Sequence, residues 1–290
     1  MDMLKYVVVT GASSGIGRGC VKVLIQKGFH VFGSVRKQVD VDSLLEEFGT
    51  NITPLIFEAT DAAAVKNAAD KVKSIVGDSI LSGLVNNAGV AVTGPMMHIP
   101  IDEFRYQMEV NTIGPIIAIQ AFLPLLGAVN PVVENPGRII NITSMAGVRA
   151  APFFGPYSAS KHALEAISAS LRQELMLYGV DVIIVGPGAV ATPIWSKAQK
   201  VDNSQYDDTD YKQSFKSMND FMSAMGPQGI TVEKIGELVH HAITTAKPKV
   251  RYAIAPNMLT DWFIPQNLPK RVLDKIIASK VGLKKLETRN

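Results

Sequence analysis

Tyr6-Val7-Val8-Val9-Thr10-Gly11-Ala12-Ser13-Ser14-Gly15-Ile16-Gly17 is a β-branched run that breaks into three closely spaced glycines and passes at once into helical spacing over residues 16–27. Glycines let a backbone turn tightly and approach a pyrophosphate, whose charge then meets exposed N–H groups and the positive end of the helix. The spacing is Gly-x-x-x-Gly-x-Gly rather than Gly-x-Gly-x-x-Gly, and no Gly-Lys-Ser/Thr follows, so the turn is not a P-loop. It stands at the first strand-to-helix junction, where a doubly wound α/β fold takes a dinucleotide.

Outward from this turn, short apolar runs alternate with longer helical patterns. Candidate strands cover 6–10, 30–35, 53–57, 81–86, 138–144, 181–185 and 250–254. Candidate helices cover 16–27, 41–48, 61–76, 102–126, 156–178 and 232–245. Several strands are apolar at consecutive positions, as suits strands covered on both faces. The alternation predicts an α/β, doubly wound parallel sheet of about seven strands, Rossmann-type, with helices on both faces. Ser43 followed by Glu46, and Asp61 ahead of an alanine-rich run, read as helix starts. The chain reads as one dinucleotide-binding and catalytic domain over 1–290, with a substrate lid at about 193–228 and a C-terminal extension over 256–290. Leu259, Trp262, Phe263, Ile264 and Leu268 in that extension favour folding back on the body, with contact to a membrane surface as the less favoured alternative.

Composition removes several classes. With 29 Lys+Arg against 26 Asp+Glu and a net charge of +3 spread along the chain, nothing electrostatic calls for nucleic acid. A single cysteine excludes an intramolecular disulfide framework and a cysteine-based zinc site and suits a reducing compartment, so a cytoplasmic protein is expected. No targeting segment is visible at the start. The longest apolar stretch, Ile116 to Val129, is interrupted by Gln120, Pro124 and Gly127, and it falls short of the roughly 20 residues that span a bilayer. His30, His98, His162, His240 and His241 form no ligand cluster with carboxylates, and no metal site is expected. Cys20 reads as a structural thiol packed under the first helix.

The second strand bears on the cofactor. It ends Gly33-Ser34-Val35-Arg36-Lys37, with no acid before Asp40. An acid there would pair with a ribose hydroxyl of NAD(H), whereas a planar guanidinium suits the extra phosphate of NADP(H). NADP(H) is therefore favoured and NAD(H) is the alternative. Further on, Tyr157-Ser158-Ala159-Ser160-Lys161 puts a phenol and an amine at i and i+4, on one helix face. A phenol with a pKa near 10 is a poor base at neutral pH, and a neighbouring ammonium favours the phenolate. Ser144 ends the fifth strand at the carboxyl edge of the sheet, where its hydroxyl can hydrogen-bond a carbonyl oxygen.

Together these residues resemble the short-chain dehydrogenase/reductase family over about residues 5–255, and the retinol- and steroid-type NADP-dependent members in particular. The family's glycine motif matches Thr10–Gly17, which assigns Gly11, Ser13, Ser14, Gly15, Ile16 and Gly17 to the cofactor together with Arg36 and Lys37. Its Asn-Asn-Ala-Gly motif matches Asn86, Asn87, Ala88 and Gly89. Its active-site residues match Asn111, Ser144, Tyr157 and Lys161, and its Pro-Gly turn matches Pro187 and Gly188, with Val190 and Thr192 beyond it as further cofactor contacts. The chain departs from the family at Glu58-Ala59, where an aspartate followed by an apolar residue usually touches adenine.

The resemblance implies hydride transfer between the nicotinamide and a carbinol or carbonyl carbon. Tyr157 would exchange the proton, Lys161 would lower the phenol's pKa and hold the ribose hydroxyls, Ser144 would position the substrate oxygen, and Asn111 would hold a water linking Lys161 to solvent. Trp195, Phe215, Met218, Phe221 and Met222, with Met96, Met97, Met145, Phe153 and Phe154, suggest an adaptable apolar pocket for a lipophilic alcohol or ketone of steroid, retinoid or acyl type; ordinary core packing is the competing reading. The competing functions are a non-catalytic dinucleotide-sensing or scaffold protein, an NAD-preferring dehydrogenase and a methyltransferase. By analogy the helices over 102–126 and 156–178 would pair copies into a homodimer or homotetramer.

Overall fold

A computed structural model describes residues 4–192 and 203–286. The chain alternates β1 (Lys5–Val9), α1 (Gly15–Gln26), β2 (Phe29–Val35), α2 (Gln38–Phe48), β3 (Ile52–Ile56), α3 (Ala62–Val76) and β4 (Gly83–Asn86). It continues with α4 (Ile101–Met108), α5 (Gly114–Phe122), β5 (Arg138–Ile142), α6 (Gly155–Glu174) and β6 (Val182–Pro187), then α7 (Lys212–Met225), α8 (Val232–Thr244), β7 (Arg251–Ile254) and α9 (Lys270–Val281). The sheet order is β3-β2-β1-β4-β5-β6-β7, and every pairing is parallel. The order reverses between β1 and β4. That switch point opens the crevice at the carboxyl ends of the strands where ligands of such sheets bind.

Pleating sorts the core. Val7 and Val9 of β1 enter one cluster with Cys20 and Leu24 of α1, Leu44 of α2 and Val239 of α8. Val8 points to the opposite face and packs with Val65 and Val72 of α3 and Ile119 and Phe122 of α5. Successive side chains of a strand face opposite ways, so burial on both faces explains why these strands read as unbroken apolar runs. On the first face, α1 and α8 approach closely at Gly19 and Gly236. A Cβ on Gly19 would lie 2.8 Å from the Val232 carbonyl, and one on Gly236 would lie 2.8 Å from the Gly19 carbonyl oxygen.

Asp61 caps α3 as expected, its carboxylate accepting from the Ala64 N–H at 2.9 Å. Ser43 does not start a helix. Helix α2 begins at Gln38, and the Ser43 hydroxyl accepts from the Arg18 guanidinium at 3.0 Å instead. The expected long helix over 102–126 runs continuously from Ile101 to Leu126, but the five residues Glu109–Ile113 form a π turn between α4 and α5. It is long and apolar enough to cross a membrane, yet half of that stretch is buried inside the fold, where Phe122 and Leu126 complete the second cluster.

A third cluster is smaller. Ile99, Phe153, Tyr206, Phe215, Met218 and Val281 are buried together, joining the β4–α4 loop, the loop before α6, α7 and α9. Phe215, Met218 and Phe153, expected as candidates for a substrate pocket, are therefore core residues of this cluster. Trp195 lies outside the described residues.

Candidate active site

The glycine turn is built for backbone approach. Gly11 and Gly15 have φ of +69° and +57°, the left-handed region that glycine enters at no steric cost. A Cβ on Gly17 would lie 2.9 Å from the Gly11 carbonyl carbon, so this turn closes only with glycine. Ser14 precedes α1 without a side-chain cap, and the first turn carries no acid, which leaves the helix's N–H groups and positive end open to an anion. The neighbouring motif is tied to this turn. The Thr10 hydroxyl accepts from the N–H groups of Asn87 and Ala88 at 2.9 and 3.0 Å, and the Asn87 amide donates to the carbonyls of Thr10 and Gly11 at 2.9 and 3.1 Å. Thr192 stands over the turn, its Cγ2 placed 3.4 Å from where a Gly15 Cβ would be. Val190 is buried and bridges Ile230, so its side chain serves the core.

At the end of β2, the Ser34 hydroxyl accepts from the Gly11 N–H at 3.0 Å. Arg36 and Lys37 are exposed, and the Arg36 guanidinium lies 3.7 Å from the Glu58 carboxylate. The residue that departs from the family pattern thus touches the cation expected to read the cofactor. Ala59 lines the space bounded by Thr10, Asn86, Ala88 and Gly114. An open anion-ready helix end, a turn that only glycine can close and an exposed guanidinium together fit a phosphorylated dinucleotide.

Across the switch point, Ser144 ends the stretch after β5. Its hydroxyl accepts from the Ala146 N–H at 3.0 Å, reaches the Pro187 carbonyl at 3.4 Å and hydrogen-bonds the Tyr157 phenol. Lys161, one turn further along α6, is buried. Its ammonium donates to the Ile142 carbonyl at 2.9 Å and lies 5.9 Å from the centroid of the Tyr157 ring. Burial raises the Tyr157 phenol above its ordinary pKa, the Ser144 hydrogen bond opposing it. Burial also lowers the Lys161 amine to about 8, against the pull of the Glu165 carboxylate.

Asn111 sits in the π turn, a feature frequent at functional sites. Its side chain is fully buried and committed to protein. The amide donates to the Val90 carbonyl at 2.9 Å and the Ser160 hydroxyl at 3.2 Å, and its oxygen accepts from the Val90 N–H at 2.8 Å. Both amide protons are used, so a water held by this side chain would have one lone pair to bind. Of the suggested pocket residues, Met96, Phe154 and Met145 lie against glycines and the phenol of this region. Met96 packs on Gly155, the Phe154 ring contacts Tyr157 edge-on at 6.5 Å, and Met145 packs on Gly188.

Sequence reasoning missed a second layer. Glu165 accepts from Arg251 of β7 at 3.1–3.2 Å and from the Thr143 hydroxyl at 2.7 Å. Only the i, i+4 spacing of Lys161 and Glu165 was visible in the sequence. Among the described residues no group of three His, Cys, Asp or Glu is placed to hold a metal. Cys20 is buried, and burial pushes its thiol up to about 12, which makes it unreactive.

The family model for short chain dehydrogenase matches residues 5–203. The chain is 43% identical over 283 residues to the NADPH-dependent 3-dehydrocapnine reductase of Ornithobacterium rhinotracheale, covering 98% of this chain and 99% of that one. It is 32% identical to retinol dehydrogenase 5 of Mus musculus, covering 94% and 87%. A short-chain dehydrogenase from Streptomyces avermitilis shares the fold at a TM-score of 0.75, with 24% identity over 97% of this chain and 98% of that one. The chain belongs to the short-chain dehydrogenase family.

Proposed function

We propose that this short-chain dehydrogenase is an NADPH-dependent reductase of a lipophilic ketone. The observation that carries the reading is the Ser144–Tyr157–Lys161 group at the carboxyl edge of β5, beside the glycine turn at the switch point. Gly11, Ser13, Ser14, Gly15, Ile16 and Gly17 would take the pyrophosphate, with Asn87, Ala88 and Gly89 behind them. Ala59 would face adenine, Arg36 and Lys37 the additional phosphate, and Pro187, Gly188 and Thr192 the nicotinamide end. The bound cofactor supplies the hydride. The chain's residues handle the oxygen: the Ser144 hydroxyl orients the carbonyl, and the Tyr157 phenol gives it a proton. The phenol, its pKa raised by burial, is protonated at neutral pH, so it holds the proton that the carbonyl oxygen must receive. The Lys161 ammonium would hold the ribose hydroxyls and shield the proton's departure electrostatically.

The Ornithobacterium relative is by its name an NADPH-dependent reductase, which supports both the cofactor and the direction. Exposed Met96 and Met97, with Phe154 and Met145 beside Tyr157 and Gly188, support an apolar substrate. The single buried thiol suits a cytoplasmic location, and α4–α5 and α6 are the surfaces on which a homodimer or homotetramer would form. The test follows NADPH consumption with long-chain, steroid and retinoid ketones and 3-dehydrocapnine, set against sugars and polyols. Turnover confined to the polar set, or equal use of NADH, overturns the reading.

A further inference from the structure

Behind Lys161 and Ser144 lies an ion pair that the proton-transfer residues do not use. Arg251 and Glu165 have side chains only 18% and 14% exposed, with Arg251 Nε 3.1 Å from the carboxylate. Two further hydrogen bonds, from Nε and Nη2 to Oε1, make the pair a fork-to-fork contact. Such planar, charge-assisted pairs fix geometry as well as lower energy. Arg251 Nη2 also donates to the Ser144 carbonyl at 3.4 Å, and the Thr143 hydroxyl closes on the same carboxylate at 2.7 Å. Both residues at the end of β5 are thereby tied to the pair. Glu165 stands one helical turn beyond Lys161 on α6, so the carboxylate and the amine share a face.

Two more features are shaped around the guanidinium. Gly186 of β6 leaves it room: a Cβ there would lie 2.9 Å from Arg251 Cζ. On its other side, the Trp262 ring from the C-terminal segment stacks over it, with Cζ 4.6 Å from the ring centroid, within cation–π range. The same segment brings Asp261 near Arg149 of the loop after Ser144. Replacing a buried ion pair by apolar residues is often neutral or stabilising, so stability alone does not account for an arrangement that draws on five separate elements.

We infer that Glu165 and Arg251 are positioning residues that hold the Lys161 amine and the Ser144 backbone in register, and that Trp262 clamps this pair from the C-terminal segment. The inference rests on the proposed role of Lys161 and deepens it. The charged and titratable groups around the amine are Glu165 and Tyr157 on its own helix and Arg251 from β7 behind Glu165. The π turn and the end of β5 present the neutral side chains of Asn111, Thr143 and Ser144. Of these, Glu165 is the group that keeps the ammonium charged against its burial.

The test is Glu165→Gln, with Glu165→Asp as the conservative control, read by kcat and KM for the best ketone across pH and by NADPH affinity from its fluorescence. The expected result for Glu165→Gln is an alkaline limb moved to lower pH, a kcat down about tenfold at unchanged KM, and NADPH binding that weakens at a lower pH than in wild type. Glu165→Asp should recover most of the kcat. Trp262→Leu, on the open side of the pair, covers the case in which Glu165→Gln does not fold, and is expected to lower kcat several-fold with KM unchanged. A Glu165→Gln enzyme that only melts earlier, with its alkaline limb and kcat unmoved, overturns the inference, as does a Trp262→Leu enzyme identical to wild type. A wild-type protein that neither binds NADPH nor loses turnover on Tyr157→Phe would instead overturn the functional reading.

Discussion

Lys161 donates to the Ile142 carbonyl at 2.9 Å while its ammonium lies 5.9 Å from the Tyr157 ring centroid. The amine is thus anchored to the end of β5, and α6 carries the phenol at a fixed distance from it. Burial sets both groups, and it moves them in opposite directions, the phenol up and the amine down.

A pH dependence follows from those directions. The Lys161 amine, lowered to about 8, is charged below that pH and neutral above it. Ketone reduction needs the protonated phenol and the charged amine, so its rate should be flat through neutrality and fall by up to about tenfold per unit above pH 8. Alcohol oxidation needs the phenolate and should rise with pH instead. A reduction profile still flat two units above that point would show that the ammonium is not required.

Removing the phenolic oxygen should stop the chemistry and spare binding. Tyr157→Phe is expected to retain NADPH affinity within about twofold and to lose about a thousandfold or more in kcat, within the usual range for a general acid. Stopped turnover with normal fluorescence enhancement of NADPH is the signature to look for. Activity within tenfold of wild type would take Tyr157 out of the reaction.

Arg36→Asp puts an acid where the exposed guanidinium meets Glu58. Repulsion of the extra phosphate, with a partner gained for a ribose hydroxyl, should cut NADPH affinity about a hundredfold and improve NADH binding. Isothermal titration with both cofactors reads the swap. Equal losses for the two would mean that Arg36 serves the turn rather than the phosphate.

Gly236→Ala probes the α1–α8 seam. The new methyl would press on the Gly19 carbonyl and Val23, forcing the helices apart at a cost of about 1–3 kcal/mol. Thermal melting should show it, and the glycine turn at the head of α1 should bind NADPH less tightly in proportion.

Tyr206→Phe should go the other way. The Tyr206 hydroxyl is buried and has no hydrogen-bond partner among the described residues, in a side chain only 1% exposed. Deleting an unsatisfied buried hydroxyl should stabilise the fold by about 1 kcal/mol. Calorimetry that shows a loss of that size would mean that the hydroxyl does have a partner.

The parts of this molecule that could be read from sequence are those whose physics is local. The glycine turn announces itself because glycine enters the φ of Gly11 at no steric cost and a Cβ on Gly17 would run into the Gly11 carbonyl. The central strands are legible because burial on both faces removes polar residues from Val7–Val9 and Val182–Val185. Tyr157 and Lys161 pair by simple helical spacing. Ser43 misled because a hydroxyl three residues before a glutamate is a weak signal, and tertiary structure gave that hydroxyl to Arg18. The Glu165–Arg251 pair spans 86 positions and has no local signature, so only the sheet order, which sets β7 beside β6, brings it together. The aromatic and methionine residues over 206–222 signalled burial, but their pattern could not say whether a ligand or Ile99 and Val281 would cover them.

Val281 and Ile99 share one small cluster with Phe153, so the packing around the loop before α6 takes its last piece from α9. During synthesis the cofactor-binding strands emerge first, whereas this cluster can close only once α9 has been made. A fusion partner or a stop codon placed ahead of α9 should therefore yield a protein that loads nucleotide normally and grips its second substrate badly.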